Sequence, residues 1–349
     1  MTLTLTPDSA TSPLPAARMA VAGYPRLLAD IGGTNARFAW LARPGADPAQ
    51  VRTLSVPAFD GPAEAARAYL DNLARDLGAD YAPPRGAAFA VATAVTHDPV
   101  VLTNSRWRFS RTELQQALGV EALVLVNDFE ALALSLPRLH GPQLRAHRPL
   151  FSLREAVPGT VLAVVGPGTG LGVGAVLLTR SGWQALPGEG GHATLAAADA
   201  LEAAVIDVVR RRYAHVSAER LLSGIGLPLL HTALAEVQGV ALPSSLRAED
   251  IVAAALDGSD AQAGQTVDLF CALLGGFAGN VALTLGARGG LFVGGGIVPR
   301  FADRFFASAF RERFEAKGRF RDYLAAVPTA LITDTLAALG GAALALDAA

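Results

Sequence analysis

The chain has 349 residues, of which 51% are hydrophobic, and 29 basic side chains against 31 acidic ones leave a formal charge of −2. That length is enough for two domains with sizeable cores, and the near-neutral balance argues against a general nucleic-acid or membrane-surface role. One cysteine, Cys271, excludes a disulfide framework and a Cys-rich zinc site, and it fits a reducing compartment.

Residues 1–24 are rich in Thr, Ser, Pro and Ala. They lack a basic start followed by an apolar core, so they read as a disordered tail rather than a secretory signal. A strand-like run over 26–31 enters Asp30-Ile31-Gly32-Gly33-Thr34-Asn35-Ala36-Arg37, and a second run over 36–42 leaves it. Adjacent glycines take positive φ without a Cβ clash and can aim backbone N–H groups into one concavity that attracts phosphate. Thr34 and Asn35 add donors, and Asp30 supplies charge for a magnesium ion or its water shell. A plain hairpin is the competing reading, since Gly-Gly and Asn are ordinary turn residues.

A helix follows with Pro62 in its first turn. Ala66, Tyr69, Leu70, Leu73 and Leu77 recur at helical spacing, and Gly78 stops it. Strand-like runs near 87–93 and 99–103 come next, and Asn104 places an amide just after the second. Ser110-Arg111-Thr112-Glu113 reads as a capping box opening a helix that ends at Gly119. An apolar strand over 121–126 then runs into Asn127-Asp128-Phe129 and a helix from Glu130 to Leu136. Asp128 stands where a strand ends, the usual place for α/β active-site residues. It can accept a proton from a substrate hydroxyl, or it can be a helix N-cap. Strands interrupted by helices indicate an α/β layer structure.

A polar connector spans Arg138 to Pro158. Beyond it, Gly166-Pro167-Gly168-Thr169-Gly170-Leu171-Gly172 lies between two further apolar runs, a second Gly-Thr hairpin. Two such turns suggest two lobes, each offering one nest to the same polyphosphate. Gly170 to Ala175 also matches part of a dinucleotide fingerprint, but that motif opens a helix and this one lies between strands. Glu189 and His192, in the glycine-flanked turn Leu186 to His192, suit sugar hydroxyls; a polar surface loop is the alternative. Leu201, Val205, Val208 and Val209 form one helical face. Ser217 caps a short helix ending at Gly224, with Glu219 in its first turn, where dipole complementarity is the plain reading.

Residues 248–257, 259–287 and 301–315 read as helices. Leu269–Ala287 is uncharged, but it contains Gly275, Gly276 and Gly279 and reads as a buried helix rather than a membrane span. Gly290 to Val298 reads as strand, turn and re-entry to helix. There, Gly294, Gly295 and Gly296 either let an adenine or ribose pack on bare backbone or form a flexible turn. The basic clusters at Arg210–Arg212 and Arg311–Arg321 read as solvated helix faces. The single lysine, Lys317, is in neither a Walker A loop nor a protein-kinase V-A-I-K strand.

Taken in order, DIGGTNAR (30–37), NDF (127–129), GPGTGLG (166–172), LPGEGGH (186–192), SAERLLSG (217–224) and GGGIVPRF (294–301) resemble the bacterial glucokinase family, the non-ROK group of the hexokinase–actin superfamily, over about residues 24–345. The resemblance implies an α/β fold of two ribonuclease-H-like lobes about a central cleft. It implies a small lobe over 25–138 completed by about 330–349, and a large lobe over 139–329. It implies ATP with Mg²⁺ on Asp30, Gly32, Gly33, Thr34, Asn35, Gly168, Thr169 and Gly170, the adenosine near Gly294, Gly295 and Gly296, and the metal held by Asp30 through water. Glucose would meet Asn104, Asn127, Asp128, Glu189, His192 and Glu219, with Asp128 the catalytic base of a glucose 6-phosphotransferase. A cytoplasmic homodimer is implied as well. The alternatives are a kinase of another hexose on the same fold and a non-catalytic sugar-binding regulator. The chain departs from the family pattern at Thr93-Ala94, at His97, at Ser105 after Asn104, and over Asp334 to Gly340.

Overall fold

The computed structural model describes residues 23–148, 155–242 and 246–348. The first part of the chain forms β1 (Arg26–Ile31), β2 (Asn35–Leu41), β3 (Ala49–Ser55), α1 (Pro62–Leu77), β4 (Gly86–Val91), β5 (Val100–Val101), β6 (Arg108–Phe109), α2 (Arg111–Leu118), β7 (Ala122–Asn127) and α3 (Asp128–Ser135). The second contains β8 (Leu144–Ala146), β9 (Val161–Pro167), β10 (Leu171–Thr179), β11 (Gly182–Leu186), α4 (Ala200–Arg210), α5 (Ala218–Leu221), α6 (Gly226–Gln238), α7 (Ala248–Asp257) and α8 (Ala261–Leu285). It ends with β12 (Gly290–Val293), α9 (Ala302–Ala307), α10 (Phe310–Glu315), α11 (Arg321–Ala325), β13 (Thr329–Ile332) and α12 (Ala337–Ala348). The tail expected over residues 1–24 falls almost wholly outside the described residues.

Two sheets repeat one topology. The first runs β3-β2-β1-β4-β7, and the second β11-β10-β9-β12-β13 with β8 added at its edge. In each, an antiparallel meander of three strands is extended by two strands parallel to the first. This repeated order and sense are the two ribonuclease-H-like units expected from the sequence. The parallel strands are apolar almost throughout because both their faces are covered. On one side of the first sheet, Leu27, Ala29 and Phe89 pack against Ala65, Tyr69 and Leu73 of α1 and Leu114 of α2. On the other, Leu28, Ala88 and Val126 join a core with α3, α12 and second-sheet residues Leu162, Val164 and Ile332. Helices α3 and α12 are therefore packed into both sheets. They approach so closely that a Cβ on Gly341 would overlap the Ala131 carbonyl.

Helix α8 is long and apolar enough to span a bilayer, but 78% of its apolar window is buried inside the protein, as the glycines at 275, 276 and 279 suggested. Cβ atoms at Gly275 and Gly279 would collide with the Phe310 and Phe314 carbonyls, so those glycines let α10 lie directly on α8. Several expectations need correction. Ser110 does not cap α2; its hydroxyl donates to Asp98, and Asp98 accepts the Arg111 N–H at 3.1 Å, so the capping carboxylate comes from outside the local tetrapeptide. The helix expected over 301–315 is two helices, α9 and α10, broken at Ser308, whose ψ is 177°. Strands β3, β6, β8, β11 and β13 and helices α6, α11 and α12 were not foreseen. β3 is a half-exposed edge strand whose Gln50, Arg52 and Thr53 hide any alternation.

Candidate active site

The site is built where parallel strands end. β1, β4 and β7 run in register, with Ile31 beside Val91 and Val91 beside Asn127. Asp30 and Asp128 therefore emerge at the same sheet edge, two strand spacings or about 10 Å of backbone apart. Asn127 caps α3: its side-chain oxygen accepts from the Phe129 and Glu130 N–H groups at 2.9 and 3.3 Å, and its amide donates to the Thr93 carbonyl at 3.3 Å. The cap is therefore Asn127, not Asp128. Asp128 accepts the adjacent Phe129 N–H through Oδ1, at 3.0 Å, which leaves Oδ2 for other use.

Electrostatics set the Asp128 carboxyl apart. Burial first, then the neighbouring Asp30 carboxylate, and more weakly Glu189, push its pKa up to about 7, against the opposing backbone hydrogen bonds from Phe129 and from Asp128 itself. Asp30 is also raised by burial, with Arg37 as the counteracting charge. The position of Arg37 follows from the hairpin register, which places it directly across from Asp30.

A cavity of about 800 Å³ joins the two Gly-Thr turns, a size usual for small-molecule sites. Asp30, Gly32, Gly33, Thr34 and Asn35 line one wall and Gly168 and Thr169 another. The turns do not work as expected. None of Gly32, Gly33, Gly168 and Gly170 has positive φ. Gly32 N–H closes the first turn onto the Asn35 carbonyl and Gly168 N–H closes the second onto the Gly170 carbonyl. The main-chain donors left without a partner are those of Gly33, Thr34, Thr169 and Gly170. Gly33 is required because the Asn104 backbone oxygen would lie 2.6 Å from a Cβ there. Cβ atoms at Gly166 and Gly172 would overlap the Phe129 ring, so these glycines seat the residue after Asp128 on the second hairpin.

The cavity includes Gly296 but not Gly170, Gly294 or Gly295. Gly295, with φ +80°, packs on the Pro167 carbonyl, and Gly294 abuts Leu132 and Val164, so both shape the turn from behind. Gly170 lies against the Glu219 carboxylate, which accepts the Leu171 N–H at 2.9 Å and stands 3.8 Å from His192 Nδ1. Asn104 and Glu219 thus lie against the two Gly-Thr turns, while Glu189 and His192 stay exposed beside them.

Other cavity residues were missed by sequence reasoning. Ile225, Leu227 and Pro228 at the start of α6 face Leu246, Ala248 and Val252 of the α7 region, and Ile297 with Arg300 completes that end. Ile225 is 68% exposed, the most open large apolar residue among those described. No local pattern marks these residues, because they meet only when α6, α7 and the turn after β12 pack together. Among the described residues, no group of three or more His, Cys, Asp or Glu is arranged to hold a metal. A lone carboxylate with water and phosphate oxygens is nevertheless how Mg²⁺ is often held, so Asp30 fits.

The profile of the Glucokinase family matches residues 27–349. A glucokinase of Aromatoleum aromaticum is 48% identical over 93% of this chain and 95% of its own length. The crystal structure of a glucokinase from an Antarctic psychrotroph superposes with a TM-score of 0.82 at 37% identity, covering 93% of this chain and 99% of that one. A glucokinase of Balamuthia mandrillaris, solved in complex with glucose, shares the fold at 22% identity and a TM-score of 0.71, covering 96% of each chain.

Proposed function

The chain belongs to the glucokinase family, and on that premise we propose that it transfers the γ-phosphoryl group of ATP to the 6-hydroxyl of D-glucose with Asp128 as general base. The observation that carries the reading is one cavity lined by both Gly-Thr turns and by Asp30, with a carboxyl held near pKa 7 beside it. A base tuned close to the working pH combines the right protonation state with useful basicity.

Asp128 Oδ2 orients the sugar hydroxyl and takes its proton as the new O–P bond forms and the bond to the leaving ADP oxygen breaks. Such a base typically contributes about 10²–10⁴ in rate. Phosphoryl transfer otherwise asks for positioning and charge stabilisation. The unpartnered N–H groups of Gly33, Thr34 and Thr169 and the two threonine hydroxyls hold phosphate oxygens in this reading. Asp30 would hold Mg²⁺ through its water shell, and the ion, when bound, would neutralise charge on the phosphates. The nucleoside lies against Gly296, Ile225, Leu227 and Val252, and Gly294 and Gly295 act behind that wall rather than on it.

Asn104, Glu189, His192, Glu219 and the remaining Asn127 N–H recognise ring hydroxyls. A site built to pair hydroxyls rejects sugars that lack them. The protein is proposed to act in the cytoplasm as a homodimer of two-lobed subunits. A coupled assay across hexoses and phosphoryl donors tests the activity. Glucose with ATP is expected to give the highest kcat/KM; preference for another hexose, or no turnover with any, would overturn the assignment.

A further inference from the structure

Resting on that reading, we propose that Arg37 is a positioning residue that couples filling of the phosphate cavity to the seam between the two sheets. The chain crosses between the sheets twice, through 136–143 between α3 and β8 and through 333–336 between β13 and α12. The crossings are stitched together. Gln143 Nε2 donates to Asp334 Oδ2 at 2.7 Å, Thr333 N–H to the Gln143 carbonyl at 2.9 Å, and Thr333 Oγ1 to the Pro142 carbonyl at 2.7 Å.

Arg37 reaches this seam from inside the cleft. It lines the cavity, and its Nη1 donates to the Thr335 carbonyl at 2.7 Å and faces Asp30 Oδ2 at 3.5 Å. Both contacts use one nitrogen, which leaves Nε and Nη2 unpaired on a side chain that lines the cavity. A guanidinium is a rigid planar fork. A polyphosphate that recruits the free edge therefore turns the edge that holds Thr335. The next residues, Leu336 and Ala337, lead into α12, which packs on both sheets, so the pull is transmitted to the element shared by the lobes.

The test uses the full-length enzyme with a non-hydrolysable ATP analogue and magnesium. Hydrogen exchange is read over 333–340, alongside kcat and both KM values. In the unaltered protein the analogue is expected to slow exchange there at least about threefold. Arg37→Gln is expected to raise the KM for ATP roughly tenfold, the order of one charge-assisted hydrogen bond, to leave the KM for glucose within about twofold, and to abolish the exchange response. Arg37→Lys keeps the charge but not the fork. It should hold the KM for ATP within about threefold of the parent and still lose the response. An unchanged response in Arg37→Gln, or full recovery of it in Arg37→Lys, overturns the coupling. Absence of turnover in the unaltered enzyme overturns the kinase reading instead, so the two failures are distinct.

Discussion

Replacing Asp128 by Asn should make the protein more stable and nearly inactive. The carboxyl is raised from its usual 3.8 to about 7 by burial and by Asp30 and Glu189. Between those values the folded state binds a proton that the unfolded chain has released. Folding therefore becomes progressively less favourable as pH rises from about 4 to 7, and the full penalty stands above that range. At about 1.4 kcal/mol per unit, the ionised carboxylate costs at most roughly 4 kcal/mol. Asn has the same shape and can still accept the Phe129 N–H, so it removes the penalty without a cavity. Urea melts of parent and variant at pH 5 and pH 8 should show the variant ahead at both, with its advantage growing by roughly 2–3 kcal/mol at the higher pH. Turnover should fall by at least about 10²-fold, with the KM for glucose within about tenfold. A stability difference that does not grow with pH would refute the account of Asp128 as an acid crowded by burial and like charge. Near-normal turnover in the folded variant would refute its role as base.

The same carboxyl sets the pH profile. As pH falls below about 7, Asp128 gains a proton and can no longer accept one, so kcat/KM for glucose should drop about tenfold per unit, and a flat profile from pH 5 to 8 would contradict this. The glycines of the second hairpin separate two roles. Gly172→Ala forces a methyl into the Phe129 ring and should cost at least about 2 kcal/mol in a denaturant melt, with loss of turnover because Asp128 moves. Gly168→Ala points into open space and should change stability by less than about 0.5 kcal/mol, while raising the KM for ATP. Glu219→Gln keeps an acceptor for the Leu171 N–H but removes the charge facing His192. It should raise the KM for glucose roughly tenfold with little effect on the KM for ATP, and equal effects on both would contradict its assignment to the sugar side.

Much of this site is legible locally. Asp30, Thr34 and Thr169 sit at apolar strand ends beside glycine turns, and Asn127-Asp128 closes a continuous apolar strand. Such features follow from short-range rules, because a strand needs an uninterrupted buried run and a turn needs residues the backbone tolerates. The same rules erred where a partner came from afar. Asp98 displaced Ser110 as the cap of α2, and no tetrapeptide pattern contains Asp98. β3, an exposed edge strand, and β8, three residues long, carry too little apolar periodicity to be seen.

The amino-acid order by itself determined the α/β character, the two Gly-Thr turns and the acid at the end of β7, since backbone preference and burial act over a few residues. Tertiary packing alone decided why the glycines are there. Gly33 yields to Asn104, and Gly166 and Gly172 to Phe129. It also fixed the Asn127 amide on the Thr93 carbonyl, which holds in place the side chain that caps α3. It made one cavity from turns more than 130 residues apart, walled by α6 and α7. These outcomes depend on steric exclusion and charge between segments remote in the chain.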